Sequence, residues 1–254
     1  PHDRGSTPAT PGSATTGRTD DMHLNDRANP LSTSLDFPLA FPLVIPKAPR
    51  GAGGDLLIAV VLPTPDQEPD RPASERVAAQ RAASRAALRE AAARAGCPDG
   101  CFEKSGERGP PIPTANGWHW SISHDASFVA AVVSSRGPLG IDLERIALRR
   151  RLLVERVADD DERAELGETE DAPLDANGFA RLWTSKEAVL KAEQIGLPGL
   201  AHCKLRQVDG PWRTRMTYRA EARDVVHTRV ASHLVSLSST APFQRVLWCL
   251  RSQG

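Results

Sequence analysis

Short apolar stretches with different spacing predict the first secondary-structure elements of the chain. Residues 55–63 form an almost continuous apolar run that is rich in Val, Leu and Ile and ends at Pro63, which predicts a buried strand. Residues 74–95 are rich in Ala, Leu and Arg, so they predict a helix with Ser74 as its N-cap and Gly96 after its last turn. The pattern therefore predicts a strand followed by a long helix, with folded structure expected to begin upstream of them, near residues 37–40.

The rest of the chain mixes strand-like and helix-like patterns. Strands are predicted at 118–123, 127–134 and Leu139–Glu144, a helix is predicted at 180–194, and antiparallel strands are predicted within 203–250. An acidic segment, expected to be a loop with some helix, precedes the predicted helix. Because strands and helices follow one another without a regular strand–helix–strand repeat, we expect an α+β fold.

Composition and charge narrow the classes of protein that fit. The 254 residues carry 32 basic and 32 acidic side chains, and this balance argues against a nucleic-acid partner, since phosphate-backbone binding needs an excess of cations. The longest apolar runs are far shorter than the roughly 18–20 residues that span a bilayer, and no secretory signal opens the chain. We therefore expect no membrane partner, a cytoplasmic location, and four cysteines that are reduced thiols rather than zinc ligands.

The beginning of the chain differs from the rest in composition. Residues 1–35 are rich in Pro, Gly, Ser and Thr and have no hydrophobic periodicity. Burial of apolar surface would not offset the entropy that this segment loses on ordering. We predict a disordered tail over these residues.

Two carboxylates lie close together in the strand that contains Gly140–Glu144. Side chains alternate along a strand, so Asp142 and Glu144 point to one face while Ile141 and Leu143 enter the core. At about 4 Å and an effective dielectric constant near 20, the repulsion of the two acids would reach roughly 4 kcal/mol. A divalent cation would relieve this repulsion, and Mg²⁺ prefers such oxygen ligands. The alternative interpretation is an ordinary strand with two exposed acids.

A second candidate segment is Trp183–Lys191, which falls within the predicted helix. Glu187 and Lys191 lie one turn apart on one face of that helix. One interpretation is a surface ion pair, which contributes about 0.5 kcal/mol or less. The other is that Glu187 supplies a third carboxylate to a metal, beside Lys186 and Lys191, which would bind a phosphorylated ligand.

Further upstream, a histidine and a row of arginines are candidates for binding phosphate. His124 follows Ser123 at the end of a predicted strand and is either a structural histidine or a donor to phosphate. A serine-hydrolase triad is not favoured, because neighbouring strand residues face opposite ways and the chain has no Gly-x-Ser-x-Gly turn. Arg81, Arg85 and Arg89 recur every four residues and form one cationic stripe, which is either a solvated face or a phosphate-binding surface.

Together, these segments resemble the Sfp-type 4′-phosphopantetheinyl transferases. That family has a Gly-Ile/Val-Asp-x-Glu strand followed further along by a Trp-Ser/Thr/Cys-x-Lys-Glu-Ala/Ser-x-x-Lys helix. The two motifs correspond to Gly140–Glu144 and Trp183–Lys191, with Ser123-His124 and the Pro-rich segment 109–113 upstream of them. The likeness covers roughly residues 55–237.

The resemblance implies a metal site and a catalytic base. Asp142, Glu144 and Glu187 match the Mg²⁺ ligands of the family, with Mn²⁺ as the alternative ion. Glu187 also matches the general base for the serine of a carrier protein. Lys191 matches the lysine closest to the pyrophosphate of coenzyme A, so we expect Glu187 and Lys191 to be catalytic.

The resemblance also implies a set of residues that bind coenzyme A. The positions that bind coenzyme A in the family correspond here to Arg81, Ser123, His124, Asp142, Lys186 and Lys191. Arg81 corresponds to an arginine near the 3′-phosphate. Many relatives have a basic residue before the Pro-rich segment, where this chain has Gly109, so we expect Arg108 to act in its place. Asp125-Ala126 stands where relatives often have Ser-Gly, and Glu162 matches a recurrent acidic position without an assigned role.

The implied fold is a pseudo-dimer of two similar α+β halves with coenzyme A at their junction. We assign residues 36–135 to the N-terminal half and 136–254 to the C-terminal half, which carries the metal site. The implied activity is Mg²⁺-dependent transfer of the 4′-phosphopantetheine arm of coenzyme A to a serine of an apo acyl or peptidyl carrier protein, with 3′,5′-ADP as the other product. We expect a monomer. The alternatives are a non-catalytic homologue that binds coenzyme A or carrier protein, and a Mg²⁺-dependent phosphohydrolase.

Overall fold

A computed structural model describes residues 56–64, 72–98, 100–106 and 109–251. The predicted tail and Arg108 lie outside these residues. In chain order, the elements are β1 (Leu56–Pro63), α1 (Ala73–Ala95), β2 (His119–His124), β3 (Phe128–Ser134), β4 (Leu139–Arg145), α2 (Arg151–Val157), α3 (Asp160–Glu165), α4 (Ala176–Ala192), a 3₁₀ helix (Leu197–His202), β5 (Cys203–Val208), β6 (Arg213–Tyr218), β7 (Glu221–Val230), β8 (His233–Ser239) and β9 (Arg245–Leu250). None of the helices in these ranges is both long enough and apolar enough to cross a membrane.

The main predicted helices and strands are present, with shifts at their ends. Helix α1 begins at Ala73, so Ser74 lies inside the first turn and Pro72 occupies the cap position. Gly96 ends α1 as predicted, with a φ of +75° that favours glycine. Helix α4 begins four residues before its predicted start, because the Asp175 carboxylate caps it by accepting a backbone hydrogen bond of 2.6 Å.

The strands form two sheets. The first has the order β2-β3-β1-β9, and the second has the order β4-β8-β7-β6-β5 with antiparallel pairing throughout. The prediction of antiparallel strands within 203–250 is wrong for β9, which runs parallel to β1 in the first sheet. An unpaired edge of β1 would expose a row of backbone donors and acceptors, and β9 covers it.

The two sheets pack face to face between two layers of helix. Leu57, Ala59 and Val61 of β1 share a core with Ile141 and Leu237 of the second sheet. The other face of the first sheet packs against α1, and the other face of the second sheet packs against α4. The layer order is therefore helix, sheet, sheet, helix, which confirms the prediction of an α+β fold.

Strand β2 lies along the free edge of β4. The hydroxyl of Ser121 accepts a hydrogen bond of 3.1 Å from the Ile141 N–H, and the hydroxyl of Ser123 accepts one of 3.3 Å from the Leu143 N–H. Two side chains thus take the place of a neighbouring strand and satisfy buried backbone donors. As a result, the end of β2 lies beside the carboxylates of β4.

Helix α4 and strand β4 approach each other closely at Gly140. A Cβ atom at this position would lie 2.0 Å from the carbonyl oxygen of Ala188 and 2.7 Å from the backbone nitrogen of Ala192. Backbone atoms cannot give way as a flexible side chain can, so the absence of a side chain at residue 140 permits the contact. The strand and the helix that carry the two sequence motifs are therefore in direct contact.

We predict that Gly140→Ala separates β4 from α4 and lowers the free energy of unfolding by about 3 kcal/mol, as overpacked cores do. Urea denaturation would measure the change. Gly100→Ala is the matched control, because a Cβ atom there would have no neighbour within 4 Å, and its effect should stay within about 0.5 kcal/mol. Equal stability of the two variants would contradict the close contact.

Candidate active site

Three carboxylates lie within electrostatic reach of one another where β4 packs against α4. Asp142 and Glu144 come from β4, and Glu187 comes from α4. Burial raises the pKa of Glu187, and the negative charges of Asp142 and Glu144 raise it further. Burial also raises the pKa of Glu144. The positive charge of Arg149 lowers this pKa, whereas the negative charge of Asp142 raises it. The acids of the two motifs therefore lie within electrostatic reach of one another.

Cationic and hydroxyl groups hold two of these acids. The Lys191 ammonium donates hydrogen bonds of 2.7 Å to Asp142 Oδ1 and 3.1 Å to the Ile141 carbonyl. The Ser123 hydroxyl donates to the same Asp142 oxygen at 2.9 Å. Arg149 forms an ion pair with Glu144. Ser123 is thus buried and supports Asp142, and its expected role at coenzyme A stays a prediction. The role of Arg149 had no signal in the sequence.

The donor types, but not their present arrangement, fit a divalent cation. Carboxylate oxygens are the ligands that Mg²⁺ prefers, and three acids that repel one another leave negative charge for a cation to neutralise. Within the described residues, however, no three His, Cys, Asp or Glu side chains are grouped so as to hold a metal ion. In this conformation Lys191 and Arg149 provide the positive charge for Asp142 and Glu144.

His124 connects the carboxylates with a neighbouring cavity. It ends β2, directly after Ser123, and lines a cavity of about 620 Å³ between α1 and β2. Burial lowers the pKa of His124, and the positive charges of Lys191 and Lys104 lower it further. His124 is therefore close to the lysine that binds Asp142, and its pKa shift favours the neutral imidazole at neutral pH.

The cavity beside His124 is strongly cationic. Arg81, Arg85 and Arg89, one residue from each of three successive turns of α1, all line it. Lys104 adds a fourth positive side chain from the loop that follows α1. The arginine stripe therefore faces a concave surface, which fits the phosphate-binding interpretation of its spacing better than a fully solvated face. Lys104 had no recognisable signal in the sequence.

Lys186 lies in a buried position on α4. Its side chain is 1% exposed, and its ammonium donates hydrogen bonds of 2.6 Å to the Val157 carbonyl and 2.7 Å to Glu162. Glu162 also accepts backbone hydrogen bonds from Leu205 at 2.8 Å and Asp159 at 3.1 Å. This ammonium is therefore enclosed by the core and paired with Glu162, and its contact with the phosphates of coenzyme A stays a prediction. The pair also gives the recurrent acid Glu162 a structural role.

Asp125, which departs from the family pattern, joins the two sheets. Its Oδ1 accepts backbone hydrogen bonds from Ser127 at 2.7 Å and Phe128 at 2.8 Å, which shapes the turn between β2 and β3. Its Oδ2 lies 2.5 Å from Nε2 of His233, a buried residue at the start of β8. No pattern in the sequence links these two positions. The turn that follows His124 is therefore anchored to the second sheet through a side chain.

Comparison with known proteins supports the identity suggested by the motifs. Residues 138–249 match the family model of the 4′-phosphopantetheinyl transferase superfamily. Over 89 residues, the chain is 36% identical to the 4′-phosphopantetheinyl transferase AcpT of Salmonella typhimurium and equally to that of Salmonella typhi; the alignments cover 34% of this chain and 46% of each relative. The chain thus spans a little under half the length of the curated relatives it matches.

The matched region contains both carboxylate-bearing motifs and the whole of α4. Residues 138–249 are therefore similar to the 4′-phosphopantetheinyl transferase superfamily, which agrees, at the level of the superfamily, with the resemblance found in the sequence.

We predict that Lys186→Met lowers the free energy of unfolding by about 3–5 kcal/mol, because it leaves the Glu162 carboxylate buried without its charge partner. Chemical denaturation would measure the loss. Lys204→Ala is the control, since that partly exposed lysine pairs with Asp159 at 3.0 Å and should contribute at most about 1 kcal/mol. A loss for Lys186→Met as small as that for Lys204→Ala would exclude the structural role of the pair.

Proposed function

We propose that the protein is an Sfp-type 4′-phosphopantetheinyl transferase. It transfers the phosphopantetheine arm of coenzyme A to a serine of an apo acyl or peptidyl carrier protein in the presence of Mg²⁺ and releases 3′,5′-ADP. The observation that carries the proposal is the juxtaposition of a four-cation cavity with three coupled carboxylates, connected through His124 and Lys191. Phosphate-rich ligands need the first feature, and metal-assisted transfer needs the second.

The cavity is suited to the nucleotide part of coenzyme A. Its volume of about 620 Å³ lies within the range of about 300–1,000 Å³ typical of small-molecule sites. Arg81, Arg85 and Arg89 present guanidinium groups, whose planar donors match phosphate oxygens. Lys191, whose charge acts on His124 at the cavity, extends this positive charge toward the carboxylates. A ligand that places its 3′-phosphate on the α1 arginines would direct its pyrophosphate toward Lys191 and Asp142.

The chemistry follows from the carboxylates and their neighbours. Asp142, Glu144 and Glu187 would hold Mg²⁺, which neutralises charge between these acids and a pyrophosphate when it is bound. The carrier serine oxygen bonds to the phosphorus that bears the pantetheine arm, and the bond from that phosphorus to the bridging oxygen breaks. The electron pair leaves with 3′,5′-ADP, and the serine proton passes to the Glu187 carboxylate, which acts as the general base. Lys191 and the α1 arginines bind and orient the phosphates.

We further propose that the two sheets derive from two similar halves, divided near residue 135. In each half, a first strand is followed by a helix that packs on the outer face of its sheet. In each half, the first strand also pairs antiparallel with a later strand, β1 with β3 and β4 with β8. Under this division β9 belongs to the second half in sequence and to the first sheet in space.

The segment after β4 has the properties expected of a docking surface for an acidic carrier protein. Leu148 and Leu152 are 81% and 80% exposed, next to the basic residues Arg149, Arg150 and Arg151. Arg149 also borders a small pocket of about 190 Å³ beside Glu144, with an aromatic wall formed by Phe179 and Trp183. Exposed apolar side chains among cations complement an acidic helix that carries its own apolar residues.

The proposed reaction can be tested by mixing the protein with coenzyme A, Mg²⁺ and a panel of apo carrier proteins. We expect at least one carrier to gain the mass of phosphopantetheine in intact-protein mass spectrometry. Asp142→Ala, Glu144→Ala and Glu187→Ala should each reduce the rate by about a hundredfold or more, since each removes a charge next to the reacting phosphate. Asp171→Ala, which changes an exposed loop carboxylate, should keep the wild-type rate.

The same assay separates the alternatives. Release of inorganic phosphate without modified carrier would instead indicate a phosphohydrolase. Binding of coenzyme A by calorimetry without either product, across all carriers, would indicate a non-catalytic homologue. Near-normal transfer by all three carboxylate variants would exclude the proposed metal site.

We predict that Arg150→Glu raises the KM for the carrier protein severalfold at low ionic strength and leaves the KM for coenzyme A unchanged, because a reversed charge slows the approach of an acidic partner. The difference should shrink as salt is added. Arg206→Glu is the control, since Arg206 is an exposed residue of β5, at the opposite edge of the second sheet from β4. Equal effects of the two charge reversals would contradict docking at this segment.

A further inference from the structure

A row of polar side chains crosses the face of the second sheet that packs against α4. Asp142 of β4 is directly opposite Ser236 of β8, and Ser236 is directly opposite His227 of β7. Directly opposed residues of antiparallel strands place their side chains on the same face. The row therefore leads from an acid of the active site to a buried histidine that the proposed chemistry does not use.

Hydrogen bonds connect this histidine with α4 at both of its ring nitrogens. His227 Nδ1 lies 2.7 Å from the Ser236 hydroxyl, which lies 2.6 Å from the Thr184 hydroxyl. His227 Nε2 lies 3.1 Å from the Thr214 hydroxyl, which lies 3.1 Å from the Ser185 hydroxyl. All five side chains are buried. The circuit begins and ends on two consecutive residues of α4, and we name it the His227 circuit.

The direction of every hydrogen bond in the His227 circuit can be deduced. Thr184 donates its one hydroxyl proton to the Ala180 carbonyl at 2.8 Å, so toward Ser236 it must accept. Ser236 then donates to Thr184 and accepts from His227, which places the ring proton on Nδ1. His227 Nε2 consequently accepts from Thr214, and Thr214 accepts from Ser185. This arrangement satisfies all the contacts with a neutral imidazole.

The surroundings of His227 keep the ring neutral. Burial lowers its pKa to about 3, and the positive charge of Arg181 acts in the same direction. The tautomer is thus fixed by the hydrogen bonds and the charge state by the lack of solvent. A ring that neither ionises nor changes tautomer at neutral pH acts as a rigid spacer between β6, β8 and α4.

The His227 circuit binds α4 at Thr184 and Ser185, just before the proposed catalytic residues of that helix. Thr184 and Ser185 precede Glu187 by less than one turn, and Lys191 follows one turn later on the same helix. At the other end of this contact, Gly140 leaves no space for α4 to shift toward β4. Because α4 is fixed at both points, the position of Glu187 relative to Asp142 is fixed as well.

We infer that His227 is a positioning residue, which sets the place of Glu187 opposite Asp142 through the hydroxyls of Thr184 and Ser236. The inference rests on the proposed transfer reaction for its kinetic consequence. The circuit does not touch the cation-lined cavity, so it should affect the reaction step and leave the binding of coenzyme A unchanged. No activity is assigned to the ring itself.

The kinetic test removes one link of the circuit with almost no change in volume. Thr184→Val should lower kcat by roughly tenfold or more with an unchanged KM for coenzyme A, since small misplacements of a reactive group cost this much. Thr184→Ser, which restores the hydroxyl, should return kcat to near the wild-type value. The control is Ser238→Ala on β8, where a buried hydroxyl donates to the Asp224 carbonyl at 3.0 Å, a bond within the second sheet rather than to α4. Equal kcat values for Thr184→Val and Ser238→Ala, or no rescue by Thr184→Ser, would overturn the inference.

A spectroscopic test works whether or not the proposed reaction is correct. The ¹⁵N chemical shifts of the His227 ring in the whole protein at pH 7 should show a protonated Nδ1 and an unprotonated Nε2. An Nε2-protonated ring or a charged imidazolium would overturn the deduced circuit. Absence of transfer to every carrier by the wild-type protein would instead refute the proposed function, and the ring shifts would still decide the structure of the circuit.

Discussion

The direct contact of helix α4 with strand β4 at Gly140 is the constraint on which the site depends. Because residue 140 has no side chain, the helix backbone lies against the strand, and Glu187 comes within electrostatic reach of Asp142 and Glu144. Three ionised carboxylates that are buried or half-buried in one place repel one another, and their ionised forms are unfavourable unless positive charges lie nearby. Lys191 and Arg149 provide that charge within the chain. The fold thus maintains a concentration of negative charge that it stabilises with its own cations.

The two lysines of the α4 motif have opposite physical roles. Lys191 is partly exposed and can exchange its contact with Asp142 for one with a ligand. Lys186 is enclosed and tied to Glu162, which is itself fixed by two backbone donors. The motif therefore combines a partly exposed lysine beside the carboxylates, Lys191, with a buried lysine that attaches α4 to α3, Lys186. Their spacing of five residues places them on different faces of α4.

The sequence predicted the parts of the site that are encoded by local periodicity. Alternation along β4 correctly places Asp142 and Glu144 on one face, and the spacing of Arg81, Arg85 and Arg89 correctly indicates one face of α1. Long-range pairings had no such signal: Arg149 with Glu144, Asp125 with His233, and β9 beside β1 depend on how distant segments meet. The burial of Lys186 also had no signal, because a motif identifies a residue type at a position, whereas burial is decided by the tertiary packing of α3 and β5 around it.

The parallel pairing of β9 with β1 has a consequence for how the molecule is made. Leu56 is opposite Arg245, so these partners are separated by nearly the whole described chain. During synthesis on the ribosome, this edge of β1 must stay unpaired until β9 has been translated. Contacts between such distant segments also slow folding, because a very large loop must close before they form. The nascent protein therefore depends on β9 to shield β1, and a chain shortened before Arg245 would leave that edge available to other molecules.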